Sequence, residues 1–480
     1  MKESRRQLLK RSGGALFAST FLRAAPEANP VMATLSSYMA AAQNRVLPPE
    51  VVEKTKHHIL DTFAAMLSGS TLGPGRLGIA FARAHQGEKV ATVAASEVLC
   101  GPLEAAMANG MLAHSDETDD SHAASHSHPG CAVIPAALAA AENFGNVDGS
   151  RFLRAVALGY DIGPRVTMTL GGLPFQMDTH RAAHSIAGTF GAAAAAGSAA
   201  GLSAKQMRWV LDYASQQASG IAAWQRDTEH IEKSLVFAGM PARNGVTAAL
   251  LIQLGGTGVE DVFSGADNFL LANAPKADPA GLVDKLGERY EVMRTNIKKW
   301  TVGSPIQAPL DAIEDIRKHR PFEAGDVRKV AVHVATSEAK TVNNREMPDI
   351  SLQHMIAVML MDKTASFAAA HDRARMQDPA LLRERAKVEL VPDEDLERLY
   401  PQRVTVVEIT FADGTSLTER VDAVRGTADN PMTREEVVAK ARDLITPVMG
   451  ASKSAKLIET VLAIESVKNI RELRPLLQKV

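Results

Sequence analysis

The feature that most constrains the fold is a change of residue pattern along the chain. From about residue 31 to 275 the sequence is rich in alanine, and its apolar residues recur with the period of a helix. Within this part we expect Pro135 to open a helix, because proline is common in the first helical turn, and the alanine- and glycine-rich residues 188–201 to form a core helix. From about residue 276 to 426, valines and isoleucines instead alternate with polar residues, and Asp413-Gly414 supplies a hairpin signal. Residues 427–480 return to a helical pattern. The pattern therefore predicts a mainly α protein with an α+β segment in its middle.

A chain of 480 residues is too long for one compact core, so two domains are expected. The simplest arrangement brings the C-terminal helices back to the first helical part. It predicts a helical domain built from residues 29–275 and 427–480, with an α+β lid domain of residues 276–426 inserted between them. A cleft between two such domains is a common place for a small-molecule site.

The first 28 residues have the pattern of a targeting segment. The stretch SRRQLLK at residues 4–10 resembles the twin-arginine export signature, and a short apolar stretch follows at residues 13–22. We therefore predict that residues 1–28 are an export signal and that the protein is periplasmic. In the alternative interpretation the segment is a basic N-terminal helix and the protein is cytoplasmic.

The composition argues against several classes of protein. The formal net charge is −2 and the basic residues are dispersed, which is not typical of a nucleic-acid-binding protein. No apolar run reaches the roughly 18 residues of a membrane span, so an integral membrane protein is not expected. The two cysteines, Cys100 and Cys131, are too few for a disulfide framework. They could pair with each other, but we interpret them as buried thiols.

The most unusual stretch is HSDETDDSHAASHSHPG, which begins at residue 114 and packs four histidines and four carboxylates between two apolar segments. We call residues 114–129 the acidic loop. Three interpretations are open: a metal site, a metal-free acid/base centre, or a solvated surface loop. Because the apolar flanks draw both ends of the loop towards the core, buried charges there are costly unless they pair or take part in chemistry.

A metal site would use the histidines of the acidic loop. His122 and His126 have the spacing of one helix face, and together with His128 and Asp119 or Asp120 they could bind zinc. The segment is nevertheless rich in serine, alanine and glycine and ends at a His-Pro pair, which indicates a loop without a fixed helical face. We therefore predict no metal.

Metal-free acid/base chemistry on a carboxylate substrate needs a base, an acid and cations that hold the substrate. The acidic loop supplies the first two. Lys233 and Lys298 are candidate cations because each lies beside apolar residues, although such lysines usually extend to solvent.

The same segments resemble the MmgE/PrpD family, which includes 2-methylcitrate dehydratase, cis-aconitate decarboxylase and iminodisuccinate epimerase. The resemblance begins in and around the acidic loop and covers nearly everything after residue 28. In this first stretch it rests on Asn109-Gly110, Ala113-His114, Glu117, Asp119-Asp120, His128-Pro129, Pro135-Ala136 and Ala141-Glu142.

Further matches follow in the same order along the chain. They are His184 with the alanine-rich stretch from Phe190, the lysine segment from Lys233 to Gly245, Lys298 with Asp311-Ala312, the segments 344–349 and 351–354, and Asn430-Pro431.

The resemblance implies a helical domain with an α+β lid, a homodimer, a small polycarboxylate substrate and no cofactor. It also implies roles for individual residues. Lys233 and Lys298 would bind substrate carboxylates, together with Ser121 and His184. His128 would exchange a proton at carbon. Glu117 or Asp120 would orient that histidine or help a hydroxyl group leave.

This sequence departs from the family pattern at four places. Glu117 stands where aspartate is common, with Asp116 beside it; the loop before His128 is a residue longer than in cis-aconitate decarboxylase; Gly303-Ser304 and Gln307 replace a Cys/His pair; and about Thr341 replaces the tyrosine of the decarboxylase lid. We therefore expect a cofactor-independent lyase on a di- or tricarboxylate, most similar to the hydro-lyase 2-methylcitrate dehydratase. The alternatives are an epimerase or decarboxylase of the same family, or an exported metal- or solute-binding protein.

Overall fold

The computed structural model of the chain describes residues 29–479. The predicted export signal at residues 1–28 lies outside this range and stays a prediction.

The first part of the helical domain is a set of α-helices joined by short loops. A small antiparallel pair of strands, β1 (Ala91–Thr92) and β2 (Leu99–Cys100), is its only sheet within the described residues. The helices are α1 (Pro30–Ala41), α2 (Pro49–Gly69), α3 (Gly73–Ala84), α4 (Pro102–Ala113), α5 (Gly130–Phe144), α6 (Gly149–Leu170), α7 (Gly172–Thr179), α8 (Ala183–Ala200), α9 (Ala204–Gln217), α10 (Ile231–Ser234), α11 (Met240–Gln253) and α12 (Phe269–Asn273).

Small residues allow the central helices to pack closely. A Cβ atom added at Gly191 of α8 would lie 2.8 Å from the carbonyl oxygen of Gly159 in α6. This is closer than real Cβ contacts, so these two helices can meet only with glycine at the crossing. The alanine- and glycine-rich stretch is therefore a buried core helix, as predicted from the sequence.

The sequence also suggested that Pro135 opens a helix, and this is wrong. Helix α5 begins at Gly130, so Pro135 lies inside it. The helix starts earlier because the carboxylate of Asp120 accepts the backbone N–H of Gly130 at 3.0 Å and so satisfies an orphan donor of the first turn.

The lid is an α+β domain with its own hydrophobic core, formed by residues 300–424. Its four-stranded sheet has the order β4-β3-β5-β6; β3 and β4 are parallel, and the other neighbours are antiparallel. The elements are α13 (Ser304–His319), β3 (Val327–Ala335), α14 (Thr336–Val342), α15 (Leu352–Asp362), α16 (Phe367–His371), α17 (Pro379–Arg385), β4 (Val388–Asp393), α18 (Glu394–Glu397), β5 (Thr405–Phe411) and β6 (Ser416–Val421).

The chain then returns to the helical domain through α19 (Arg434–Met449), α20 (Ala451–Leu462) and α21 (Arg474–Leu477). Leu444 and Ile445 of α19 share one core with Ile59 and Phe63 of α2. The predicted fold class, a discontinuous helical domain with an inserted α+β lid, is therefore confirmed. The predicted boundaries of the domains stay a prediction.

One continuous helical stretch, Ile231–Gln253, is long and apolar enough to cross a membrane by length and composition alone. Most of it, 61%, is buried inside the protein, and a core helix has the same composition. The two cysteines are both buried and unpaired, as expected.

Candidate active site

The acidic loop connects α4 to α5 and is largely buried, with only Ala123 and Ala124 exposed. His114, Asp119 and Asp120 have no exposed surface, and Glu117 is only 6% exposed. The interpretation as a solvated surface loop is therefore wrong. The short loop is held at both ends by core helices, so its charged groups must find partners within the protein.

One side of the acidic loop faces the core of the helical domain. The carboxylate of Asp120 lies 2.7 Å from Nδ1 of His58 and accepts the hydroxyl of Tyr160 at 2.5 Å. Beneath the same loop, the ammonium group of Lys440 donates to the carbonyl oxygen of Thr118 at 2.9 Å. Because Lys440 lies on α19, the C-terminal helices help to fix the loop.

The other side of the acidic loop carries a carboxylate with two histidines. Nδ1 of His114 lies 2.9 Å from Asp119, and Nδ1 of His128 lies 3.0 Å from its other oxygen. An ionised carboxylate accepts only, so both rings present Nδ1–H to it. Within residues 29–479 no group hydrogen-bonds Nε2 of His128, which is therefore available to accept a proton.

Two lysines converge on the side chain of Glu117. Lys233 forms an ion pair with this carboxylate. The ammonium group of Lys298 lies 3.5 Å from the carboxylate, donates to the Glu117 carbonyl oxygen at 2.7 Å, and lies 3.8 Å from Asp119. Burial alone would raise the pKa of Glu117, but the two ammonium charges hold this pKa well below its usual value.

Lys298 reaches the helical domain because the lid segment before it pairs with the acidic loop. Ser121 and Asn296 form an antiparallel bridge, with hydrogen bonds of 3.0 and 2.8 Å between their backbones. On the other side of Lys298, the amide of Gln307 binds the N–H of Trp300 at 3.0 Å and its carbonyl at 2.7 Å. Gln307 is thus a structural residue that fixes the backbone just after Lys298.

Lys233 lies on the short helix α10, immediately before a π-helical turn at Leu235–Gly239. Its ammonium group lies 5.1 Å from the ring centre of Phe237 and 5.6 Å from that of Trp224. Phe237 also stacks on His184, with ring centres 3.8 Å apart. Phe237, which lies in the π-turn, therefore contacts both Lys233 and His184. Such turns are frequent at functional sites.

Burial favours the neutral form of four histidines of this cluster, which are His128, His230, His126 and His184. Burial lowers the pKa of His128, although Asp119 acts in the opposite direction. Burial also lowers the pKa of His230 to about 4 and that of His126 to about 3, and it holds the pKa of His184 well below 6.5. Neutral imidazoles are the form that can accept a proton from a substrate.

Two sets of side chains have possible ligand atoms within 4.8 Å of one another. They are His114, Asp119 and His128, and His114, Glu117 and His230. The second set shares its carboxylate with two ammonium groups, whose charge would oppose a bound cation. The set considered from the sequence is not assembled, because His122 instead contacts Ser125 at 2.8 Å and Glu291 at 3.2 Å.

The structure thus brings together most of the residues chosen from the sequence, namely His128, Glu117, Lys233, Lys298 and His184. Ser121 lies beside them, in a cavity of about 330 Å³ that Lys298 also lines. Asp120 does not contact His128 and points into the helical core.

Sequence reasoning did not assign roles to three residues of the cluster, which are Asp119, His114 and His230. His230 lies 3.1 Å from Glu117. Its position just before the lysine segment was the available signal. The choice between Asp119 and Asp120 had no signal in the sequence, because adjacent carboxylates are equivalent until the backbone direction is known.

Comparisons with known proteins identify the family of the chain. The model of the MmgE/PrpD N-terminal domain matches residues 33–281, and that of the MmgE/PrpD C-terminal domain matches residues 300–466. The chain therefore belongs to the MmgE/PrpD family.

Its curated relatives include three similar in length. A cis-aconitate decarboxylase-like protein of Aspergillus oryzae is 25% identical, over 94% of this chain and 98% of the relative. The cis-aconitate decarboxylase of Aspergillus terreus is 24% identical over 90% and 92% of the two chains. The human cis-aconitate decarboxylase is 25% identical over 90% and 91%.

Proposed function

We propose that the protein is a lyase that acts on a small di- or tricarboxylate without a metal or organic cofactor. The observation that carries this proposal is the convergence of Lys233 and Lys298 on Glu117, beside the His128–Asp119 pair. Two ammonium groups next to a neutral imidazole are suited to remove a proton from a carbon next to a carboxylate and to stabilise the resulting charge.

The proposed reaction is a dehydration. Nε2 of His128 takes the proton from the carbon next to a substrate carboxylate, and the electron pair moves onto the carboxylate oxygens, where Lys298 stabilises it. The pair then forms the carbon–carbon double bond as the hydroxyl group on the neighbouring carbon leaves. Lys233 supplies the proton that makes this group a water molecule. Glu117 is ionised, so it holds the lysines and does not act as the acid.

Decarboxylation is the second candidate, because the curated relatives named above are cis-aconitate decarboxylases. Against it, the residue near the expected lid tyrosine is Thr341, which is exposed and donates its hydroxyl to Ser337 of its own helix at 3.0 Å. The Thr341 hydroxyl therefore does not act as the proton donor that a lid tyrosine would provide.

A panel of polycarboxylic acids incubated in deuterated water and followed by NMR distinguishes the reactions. Dehydration gives an alkene with all carboxylates retained, and decarboxylation releases carbon dioxide. Epimerisation exchanges the carbon-bound proton and inverts the centre without giving an alkene, and this result would reject both lyase proposals.

A metal- or solute-binding role is the alternative from another class, and the two ligand sets at His114 are its support. Turnover that persists in a chelator, with no metal retained after dialysis, excludes it. Stoichiometric zinc or copper that survives dialysis, without turnover of any acid, would establish it instead.

Export and a homodimer are also proposals. Changing Arg5-Arg6 to Lys-Lys is expected to leave the protein in the cytoplasm, because the twin-arginine pair is the recognised part of such a signal. Unchanged fractionation would reject export. Light scattering of the purified protein tests the dimer.

A further inference from the structure

The cavity of about 330 Å³ lies between the acidic loop and the lid. The acidic loop contributes Ser121, and the segment that leads into the lid contributes Lys298. Its other charged residues are three arginines, Arg294, Arg403 and Arg425, and two aspartates, Asp422 and Asp429. Because Lys298 lines it, the cavity adjoins the candidate active site, and it has positive groups beyond the two lysines.

The candidate active site alone has no surplus of positive charge. Lys233 and Lys298 carry two positive charges, while Glu117 and Asp119 carry two negative ones and lie against the lysines. Burial favours the neutral form of the nearby His128 and His184. A substrate with two or three carboxylates would therefore enter a site of zero net charge, and its burial is favourable only with further cations.

The three arginines differ in how far their donors are already used. The guanidinium of Arg425 is fully engaged, since Nε donates to Glu436 at 3.0 Å, one terminal nitrogen pairs with the same carboxylate, and the other donates to Asn430 at 2.7 Å. Arg294 donates to Glu291 at 2.9 Å and is 42% exposed, so solvent screens it.

Arg403 combines a buried anchor with unused donors. One terminal nitrogen pairs with Glu338, a residue that is only 4% exposed. Among residues 29–479 no other acceptor binds its guanidinium, although the group has five N–H donors in a planar fork. Its charge reaches the acidic loop, because it adds to the effect of burial in lowering the pKa of His126. Glu338 therefore holds the Arg403 side chain in place, while the other N–H groups of the guanidinium remain available to bind a ligand.

We propose that Arg403 binds a carboxylate of the substrate and makes the site selective for tricarboxylates over dicarboxylates. Lys298 binds the carboxylate next to the carbon that loses its proton, Lys233 binds a second carboxylate beside the hydroxyl group that it protonates, and the guanidinium of Arg403 binds the remaining carboxylate. A planar guanidinium matches a carboxylate with two parallel hydrogen bonds, which a lysine cannot provide. The assignment of the two lysines in this inference rests on the proposed function.

The test compares the binding of two unreactive acids that differ by one carboxylate, propane-1,2,3-tricarboxylate and glutarate, by calorimetry. We expect the unaltered protein to bind the tricarboxylate at least tenfold more tightly. We expect Arg403→Met to remove this preference. Its affinity for glutarate should stay within about threefold of that of the unaltered protein, because only the third carboxylate loses its partner. Arg403→Lys is expected to restore part of it, since the charge returns without the fork.

The control variant is Arg398→Met. Arg398 lies in the same segment of the lid, but its side chain is 76% exposed and pairs with Asp395 outside the cavity. This variant is expected to keep the full preference. A melting curve for each variant shows whether loss of the Glu338 pair has altered the lid.

Three outcomes would overturn the assignment of Arg403: equal weakening of both acids in Arg403→Met, no weakening of either, or no preference in the unaltered protein. Because binding is measured without turnover, the two proposals fail separately. A protein that keeps the Arg403-dependent preference but converts no acid contradicts the proposed lyase alone. A protein that converts acids but binds both probes equally contradicts the role of Arg403 alone.

Discussion

The two sides of the acidic loop use adjacent carboxylates for different purposes. Asp119 and Asp120 are both fully buried and both contact histidine rings. The partners of Asp119 are loop histidines and, at 3.8 Å, Lys298 at the edge of the lid. The partners of Asp120 are His58 and Tyr160, which lie on helices of the core. Burial and hydrogen bonding alone therefore do not distinguish a candidate catalytic carboxylate from a structural one, whereas the location of the partners does.

The largest expected effects come from changing aspartate to asparagine on each side of the acidic loop, at Asp120 on the core side and at Asp119 on the cleft side. Asp120→Asn leaves one acceptor oxygen, so its amide hydrogens must face either the donors of His58 and Tyr160 or the N–H of Gly130 in a dry core, which is expected to cost about 3 kcal/mol of the free energy of unfolding. Denaturant titration measures this loss. The folded fraction is expected to keep its turnover, because Asp120 does not contact His128.

Asp119→Asn is the matched variant on the cleft side. An amide cannot accept from both His114 and His128, so the orientation and tautomer of His128 are lost and turnover is expected to fall about a hundredfold. Its effect on unfolding is expected to be smaller, because His128 retains some access to solvent. If the two variants lose the same amount of unfolding free energy and the same fraction of turnover, the distinction between the two sides of the loop is wrong.

The sequence contained enough information for the fold class and for the location of the site. The change from helical periodicity to alternation predicted the lid, and the buried flanks of the acidic loop predicted that its charges take part in chemistry or in pairing. It could not predict which way each carboxylate points. That depends on the backbone of a loop fixed by distant groups, such as Lys440 on α19 and the bridge from Asn296. The start of α5 at Gly130 was missed for the same reason, since its first-turn partner is Asp120.

Charge removal at the cleft is the next effect in size. Lys233→Ala, Lys298→Ala and His128→Ala are each expected to reduce turnover by roughly two decades, because each removes a charge or a base from a site with little water. Folding is expected to remain intact. Steady-state kinetics and far-UV circular dichroism measure the two quantities.

The control for the lysine variants is Lys318→Ala. The side chain of Lys318 is 62% exposed, and its ion pairs with Glu314 and Asp315 lie on the surface of α13. Turnover is expected to be unchanged. Near-normal activity in both Lys233→Ala and Lys298→Ala would contradict the assignment of the site.

The smallest expected effect concerns a contact between the lid and Asp116 of the acidic loop. Nε2 of His371 in the lid lies 2.9 Å from the carboxylate of Asp116. Burial lowers the pKa of His371, but the adjacent carboxylate of Asp116 outweighs it and raises this pKa to about 9. Asp349 lies in the same cavity of about 320 Å³, where Arg76, Arg373 and Glu229 are the other charged groups.

Because the pKa of His371 is higher in the folded protein than in the unfolded chain, its protonation stabilises the fold. This stabilisation is complete below about pH 6.5 and is lost as the pH rises through about 9. The melting temperature is therefore expected to fall by a few degrees between pH 7 and pH 10. His371→Gln is expected to flatten that slope, whereas His319→Gln, a change at an exposed histidine of α13, is expected to keep it. An unchanged slope in His371→Gln would show that the Asp116 contact does not couple the lid to the acidic loop.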